Sequence, residues 1–309
     1  MDKIYIVGGG ASGMMAAIQA KTKDNEIILL EKNDRVGKKI LATGNGKCNL
    51  GNENLSVDCY YSKNSSFVEQ VLKRYDTESA VSFFASIGLK VRSKNGYLYP
   101  YAEQASVVLD VLRMELERRS IQVKPGVQIT DCTPLINKRG YLLKTPDGRS
   151  YEADRVILAC GGPASLKEDG KDGYNILQKL GLKTYPLVPG LVQLRTDGKE
   201  QKALSGVRCK ASLRLFADGI QQGSEQGELQ LTDYGISGIP VFQLSRVAAY
   251  ALRNRKSVMV QIDFTPEYSY DEIVTYLLEQ QNLRKDQTVD ELLTGFLNKK
   301  INLVFLKKC

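Results

Sequence analysis

A chain of 309 residues, 42% hydrophobic and 25% charged, has room for two domains and the balance of an ordinary globular protein. No run of about 18 apolar residues is present to predict a membrane span. Net charge is +8 and histidine is absent, which excludes serine-protease-type triads and histidine metal sites and leaves Tyr, Lys, Cys, carboxylates or water for proton chemistry.

The chain opens on "KIYIVGGGASGMMAAIQA". Residues 4–7 are the apolar run of a buried parallel strand. Gly8, Gly10 and Gly13 then fall as G-x-G-x-x-G. The first suits a tight strand-to-helix turn, the second a close backbone approach to a diphosphate, and the third helix–strand packing. Residues 14–20 continue as a small-residue helix whose N-terminal amides face an anion. A second strand over 27–30 ends in Glu31, placed to accept from ribose hydroxyls. Strand, glycines, helix, strand and acid in that order predict dinucleotide binding; the alternative is a glycine turn in an unrelated α/β protein. The acid disfavours a 2′-phosphate and does not separate NAD from FAD.

After Glu31 come several cations and a second glycine cluster, Thr43-Gly44-Asn45-Gly46-Lys47-Cys48-Asn49. It reads either as backbone approaching a large anionic cofactor or as a surface loop. Helices are predicted at 66–75, 77–87 and 105–119. Tyr97 and Tyr99, between the second and third, read as core packing rather than a ligand lining. An antiparallel run follows at 126–132, 140–144 and 150–152, with Pro146-Asp147-Gly148 as a turn. A strand at 155–159 stops at Cys160-Gly161-Gly162. Lys171-Asp172-Gly173-Tyr174 leads into an amphipathic helix at 175–180. Strands are then expected at 191–194, 207–216, 227–231 and 258–264, with a helix at 242–253. Ser269…Glu272 and Thr288…Glu291 are capping boxes, each opening a helix. Six cysteines without a CxxC pair, and an N-terminus without a secretory leader, predict reduced thiols in a cytoplasm.

Taken together, "IVGGGASGMMAA", "GKKILATGNGKCNLGN", "VILACGG", "DGYNILQKLG" and "GELQLTDYGISG" resemble the BaiN-type flavoproteins over essentially the whole chain. These are bacterial NAD(P)/FAD-dependent oxidoreductases of the two-dinucleotide-binding superfamily, with aminoacetone oxidases among their relatives. The resemblance implies an α/β fold: a Rossmann-like FAD-binding domain with a β-meander over 1–189. An inserted substrate domain would follow over 190–309, with a β-unit to about 265 and a helical part beyond it. It implies FAD held at the pyrophosphate by Gly8, Gly10, Ala11, Ser12 and Gly13, and at the ribose by Glu31 with Lys32 beside it. Lys39, Gly44, Lys47, Cys48 and Asn49 match a second cofactor loop. Val127 matches the adenine contact, and Ala159, Gly161 and Gly162 match the strand end near the cofactor.

Three positions depart from the family pattern. Lys47 stands for an arginine, Cys160 for a threonine, and Asp233, in "LTDYGISG", for a histidine. Relatives also add a final "YFAGE…DGxxGGYN" segment, whereas this sequence stops at Cys309. Truncation is expected, against a terminal helix that packs there naturally, and with it weak or absent FAD occupancy. The implied activity is hydride transfer between NAD(P)H, flavin and an unidentified small organic substrate. The alternatives are a catalytically incompetent nucleotide-binding remnant and an amine oxidase of the aminoacetone type. The second glycine cluster and the meander argue against an NAD-only dehydrogenase. The charge permits an RNA-modifying flavoprotein, but no nucleic-acid motif accompanies it, so a nucleic-acid partner is not expected. No residue is identified as catalytic and no metal site is expected.

Overall fold

The computed structural model describes residues 1–43, 46–164 and 172–308. Gly44, Asn45, Lys171 and Cys309, singled out in the sequence, lie outside the described residues. The chain divides into two compact units, Met1–Thr184 and Tyr185–Cys309.

The first unit is built on a parallel sheet. Strand β1 (Asp2–Val7) lies between β2 (Asn25–Glu31) and β10 (Arg155–Leu158), and β6 (Gln122–Pro125) pairs with the far side of β2. Both faces of β1 and β2 are covered, which is why their sequences are unbroken apolar runs rather than alternating ones. Ile4, Ile6, Ile27 and Leu29 pack on helices α1 (Ala11–Ala20) and α5 (Ala105–Arg118), against Met14, Ile18, Leu109 and Leu116. Tyr5, Val7, Ile28 and Leu30 face the other way, onto Val127, Ile129, Cys132, Leu143 and Ile176. That second layer is the meander β7 (Asp131–Pro134), β8 (Tyr141–Lys144) and β9 (Ser150–Ala153), with helix α6 (Asp172–Lys179).

The antiparallel run expected from residue 126 begins later. Pro125 ends β6, Gly126 turns at φ +71°, and the following backbone is tied to the tip of β2. The Gly126 and Val127 amides donate to the Asn33 and Glu31 carbonyls, each at 2.8 Å. Those bonds hold residues 126–129 beside the parallel sheet and leave the meander to start at Asp131. The sequence also hid a small sheet, β3 (Gly51–Asn52), β5 (Tyr97–Pro100) and β4 (Val91–Lys94), in that spatial order. It lies near helices α2 (Lys38–Leu41), α3 (Ser65–Arg74) and α4 (Thr77–Ser86) in the chain.

The second unit is an antiparallel sheet in the order β11 (Leu194–Arg195), β14 (Gly235–Ser237), β13 (Ile220–Thr232), β12 (Arg208–Ala217), β15 (Val258–Asp263). Helix α7 (Gln201–Leu204) precedes β12, and α8 (Ile239–Arg253) packs across β12 and β13. Strand β13 is longer than its apolar part, 227–231, because its polar first half is held in register by β12, whose Ala211, Leu213 and Leu215 supply the buried face. Both capping boxes form, at the heads of α9 (Tyr270–Leu283) and α10 (Val289–Leu293), and α11 (Lys299–Leu306) follows. Among the described residues no helix is long and apolar enough to cross a membrane.

One buried charge ties helix to helix in the first unit. Glu115, on α5, accepts from Arg118 and Arg119, and Arg119 also donates to the Ile18 carbonyl at the end of α1, 2.9 Å away. The Arg118 hydrogen bond, helped by Arg119, outweighs the opposing effect of burial and holds the Glu115 carboxyl at about 2, below its ordinary 4.5. A depressed acid contributes stability above its unfolded pKa and loses it as pH falls through the folded one. Glu115→Gln is therefore expected to lower the urea midpoint at pH 7, with the gap to wild type closing as pH falls from 4.5 towards 2.

Candidate functional site

The strand-to-helix turn after β1 is shaped by contacts a side chain would destroy. Gly8 sits at φ +108°, and a Cβ there would lie 2.3 Å from the Ala159 carbonyl oxygen. A Cβ on Gly13 would lie 1.8 Å from the Gly8 carbonyl oxygen. Both glycines are required by the fold itself. Gly10 differs: its φ of −76° suits any residue, and an added Cβ meets nothing within 4 Å among the described residues beyond its chain neighbours.

Helix α1 starts at Ala11 with Gly10 as its N-cap. It has no side-chain cap and no acidic residue in its first turn, and the first intrahelical bond comes only from the Met14 amide, 3.0 Å from the Gly10 carbonyl. The amides of Ala11, Ser12 and Gly13 precede that bond and gather partial positive charge at the helix head. Glu31, at the end of β2, is 7% exposed and faces the same turn. Its Oε2 accepts from the Gly9 amide at 2.7 Å, and its Oε1 accepts from the Asn33 amide at 2.8 Å and from the Asn33 side chain.

Around these groups opens a cavity of about 770 Å³. Gly8, Gly10, Ala11 and Ser12 line it at the helix head, and Glu31 and Lys32 at the end of β2. Val127 borders it on the meander side with Gln128 and Ile129. Ala159, Gly161 and Gly162 border it beyond β10, where Lys39 donates from its Nζ to the Gly162 carbonyl at 3.1 Å. Gly13 lies behind the turn as packing. The lining holds three lysines, Lys32, Lys38 and Lys39, and Glu31 is the one carboxylate among its described residues. Lys38 is paired with Asp34 at 2.6 Å.

The second loop divides. Lys39 lines the cavity, whereas Lys47, Cys48 and Asn49 do not. Lys47 pairs with Glu103 at 2.7 Å, Cys48 is buried in the core beside α5, and the Asn49 side chain accepts from the Gly51 amide at 2.9 Å. The cause is the small sheet: the Leu50 amide donates to the Leu98 carbonyl, drawing this segment onto β5. Thr43, at the head of the second glycine cluster, does reach the cavity, and Gly9 and Asn33 reach it without having been expected there. Three consecutive glycines and an asparagine two residues past the acid were the available signals. Cys160 lines the cavity at the end of β10, and Asp233 lies exposed in the turn between β13 and β14 of the second unit. The five described cysteines are free thiols.

Known proteins resemble this chain along nearly its whole length. A Clostridium scindens protein named 3-dehydro-bile acid delta(4,6)-reductase is 40% identical over 305 residues, covering 97% of this chain and 74% of that protein. A Haemophilus influenzae protein named ribosomal RNA dihydrouridine synthase is 26% identical over 303 residues, 96% of this chain and 72% of that protein. Among solved structures, the open conformation of a flavocytochrome c3 fumarate reductase overlays at a TM-score of 0.43, with 16% identity over 67% of this chain and 46% of that one. The HI0933-like protein Rossmann domain matches residues 2–241, and the HI0933-like protein barrel and H2TH domain matches residues 188–309. The chain thus belongs to the HI0933-like family, the BaiN-type flavoprotein oxidoreductases.

Proposed function

We propose that the chain binds FAD along this cavity and acts as a reductase, passing hydride from NAD(P)H to a small organic acceptor. The observation that carries the reading is Gly10. Apart from Gly10 and its two chain neighbours, no atom of the described residues lies within 4 Å of where its Cβ would be, and its backbone conformation is ordinary, so the fold places no demand for glycine there. The demand comes from what enters the cavity: a diphosphate drawn against the first-turn amides of α1 needs that space empty. The three lysines on the lining favour the same anion.

Glu31 suits the adenosine end. A carboxylate offers about four acceptor positions, and the Gly9 amide and the two Asn33 donors use three of them. One remains for a ribose hydroxyl, while a 2′-phosphate beside the carboxylate would be repelled. Val127 and Ile129 give an apolar border on the meander side.

When bound, a flavin supplies the two-electron chemistry, taking hydride from a nicotinamide and handing it to an organic acceptor. The chain's own part is to hold the diphosphate and ribose, and to supply the proton that completes the reduction. With no histidine, that proton comes from Tyr, Lys, Cys, a carboxylate or water. The name of the C. scindens relative supports an acceptor with a ring carbon–carbon double bond conjugated to a ketone.

Titrating FAD into the purified chain, followed by flavin fluorescence, tests the reading. Gly10→Val is expected to weaken binding about 100-fold, equivalent to about 2.7 kcal/mol, with its far-UV circular dichroism and melting temperature close to wild type. Equal FAD affinity in that variant overturns the assignment. Gly13→Ala is expected to fail differently: a Cβ pressed on the Gly8 carbonyl costs about 2 kcal/mol or more. Its melting temperature should fall by roughly 5 °C or more whether or not FAD is present. NADH-dependent reduction of a dye that requires added FAD is the expected result for the redox half.

A further inference from the structure

Glu31 does not offer its two oxygens equally. Oε1 accepts twice, from the Asn33 amide at 2.8 Å and from Asn33 Nδ2 at 2.5 Å, whereas Oε2 accepts once, from the Gly9 amide at 2.7 Å. Each carboxylate oxygen carries about two lone pairs. Oε1 is therefore filled by one residue, and the acceptor position left over belongs to Oε2, the oxygen beside the glycine turn. The carboxylate is also held where it is. A Cβ on Gly9 would stand 3.0 Å from Oε2 and 2.5 Å from Val36 Cγ1, so the turn presses close against it.

The backbone around Asn33 does not call for an asparagine. Its amide donates to Glu31 and its carbonyl accepts from the Gly126 amide at 2.8 Å. Any residue but proline makes both of those bonds. What asparagine adds is the second donor on Oε1, from a side chain that lines the cavity with the acid. A carboxylate with one lone pair open on each oxygen can grip two neighbouring hydroxyls of a ribose. With Oε1 filled, it can grip one.

We propose that Asn33 is a positioning residue that limits Glu31 to a single ribose hydroxyl. That hydroxyl is the 2′-hydroxyl, the one an acid closing the second strand of such a unit meets, and the 3′-hydroxyl is left unread. The inference rests on the nucleotide reading of the cavity. Replacing Asn33 with a residue that lacks a side-chain donor leaves the backbone amide on Oε1 and frees one lone pair there. Glu31 then has one open position on each oxygen, and the 3′-hydroxyl gains a partner.

The probes are ADP, 2′-deoxy-ADP and 3′-deoxy-ADP, each titrated calorimetrically into the full chain with no FAD present. Wild type is expected to bind ADP and 3′-deoxy-ADP with Kd values within about twofold of each other, and 2′-deoxy-ADP about tenfold more weakly, the loss of one hydrogen bond to a charged group. Asn33→Ala is expected to discriminate against both deoxy nucleotides, each about tenfold weaker than ADP on the same variant. Asn33→Leu, which fills the space without a donor, should show the same gain. Damage to the turn would weaken all three ligands alike and would create no new preference for the 3′-hydroxyl. Three results overturn the role of Asn33 while ADP binding upholds the nucleotide reading: equal loss of both deoxy nucleotides by wild type, loss of 3′-deoxy-ADP alone by wild type, or the wild-type pattern in both variants. Failure of wild type to bind ADP at all overturns both.

Discussion

The contact on which the first unit depends is the 2.7 Å hydrogen bond from the Gly9 amide to the buried carboxylate of Glu31. It joins the turn after one strand to the tip of the next, and it is charge-assisted, hence stronger than a bond between neutral groups. Further bonds radiate from the same corner. The Gly37 amide donates to the Gly9 carbonyl at 2.8 Å, and residues 126 and 127 are tied to Asn33 and Glu31. Helix head, second strand and the approach to the meander are thereby fixed together. A ligand entering there meets groups already ordered by the fold, so little conformational freedom is lost on binding.

Much of this corner was legible in the sequence because its requirements are local. The spacing of Gly8, Gly10 and Gly13, and the acid closing the second apolar run, each express a steric or hydrogen-bonding need within a few residues. The fate of Lys47, Cys48 and Asn49 was not legible, because it is decided by pairing with Leu98, about fifty residues away. Tyr97 and Tyr99 show the same limit. Their β-propensity was visible, but a core reading and a surface reading differ only in which face of the hairpin the rest of the chain covers, and it covers that of Leu98. Strand β6 ends in a proline and carries Gln122 and Lys124, so it lacked the apolar signature of its neighbours although it joins their sheet.

The second unit was most legible where sequence and backbone geometry are in direct correspondence. Ser269 and Thr288 each accept from the amide three residues on, and Glu272 and Glu291 reach back to complete the pair. Strand β13 looks short in the sequence because half its length is held by its partner rather than by its own composition.

Because β1 and β2 are apolar on both sides, sliding one past the other by a single residue would exchange one set of greasy side chains for another and expose almost nothing. Hydrophobic pattern is a poor ruler for such strands. Alignment along their length must be read off at the tip, where only one offset brings a side-chain acid under a glycine amide. The corner thus serves the architecture as a vernier mark, and a sequence that lost it would face near-degenerate sheets before it faced the question of any ligand.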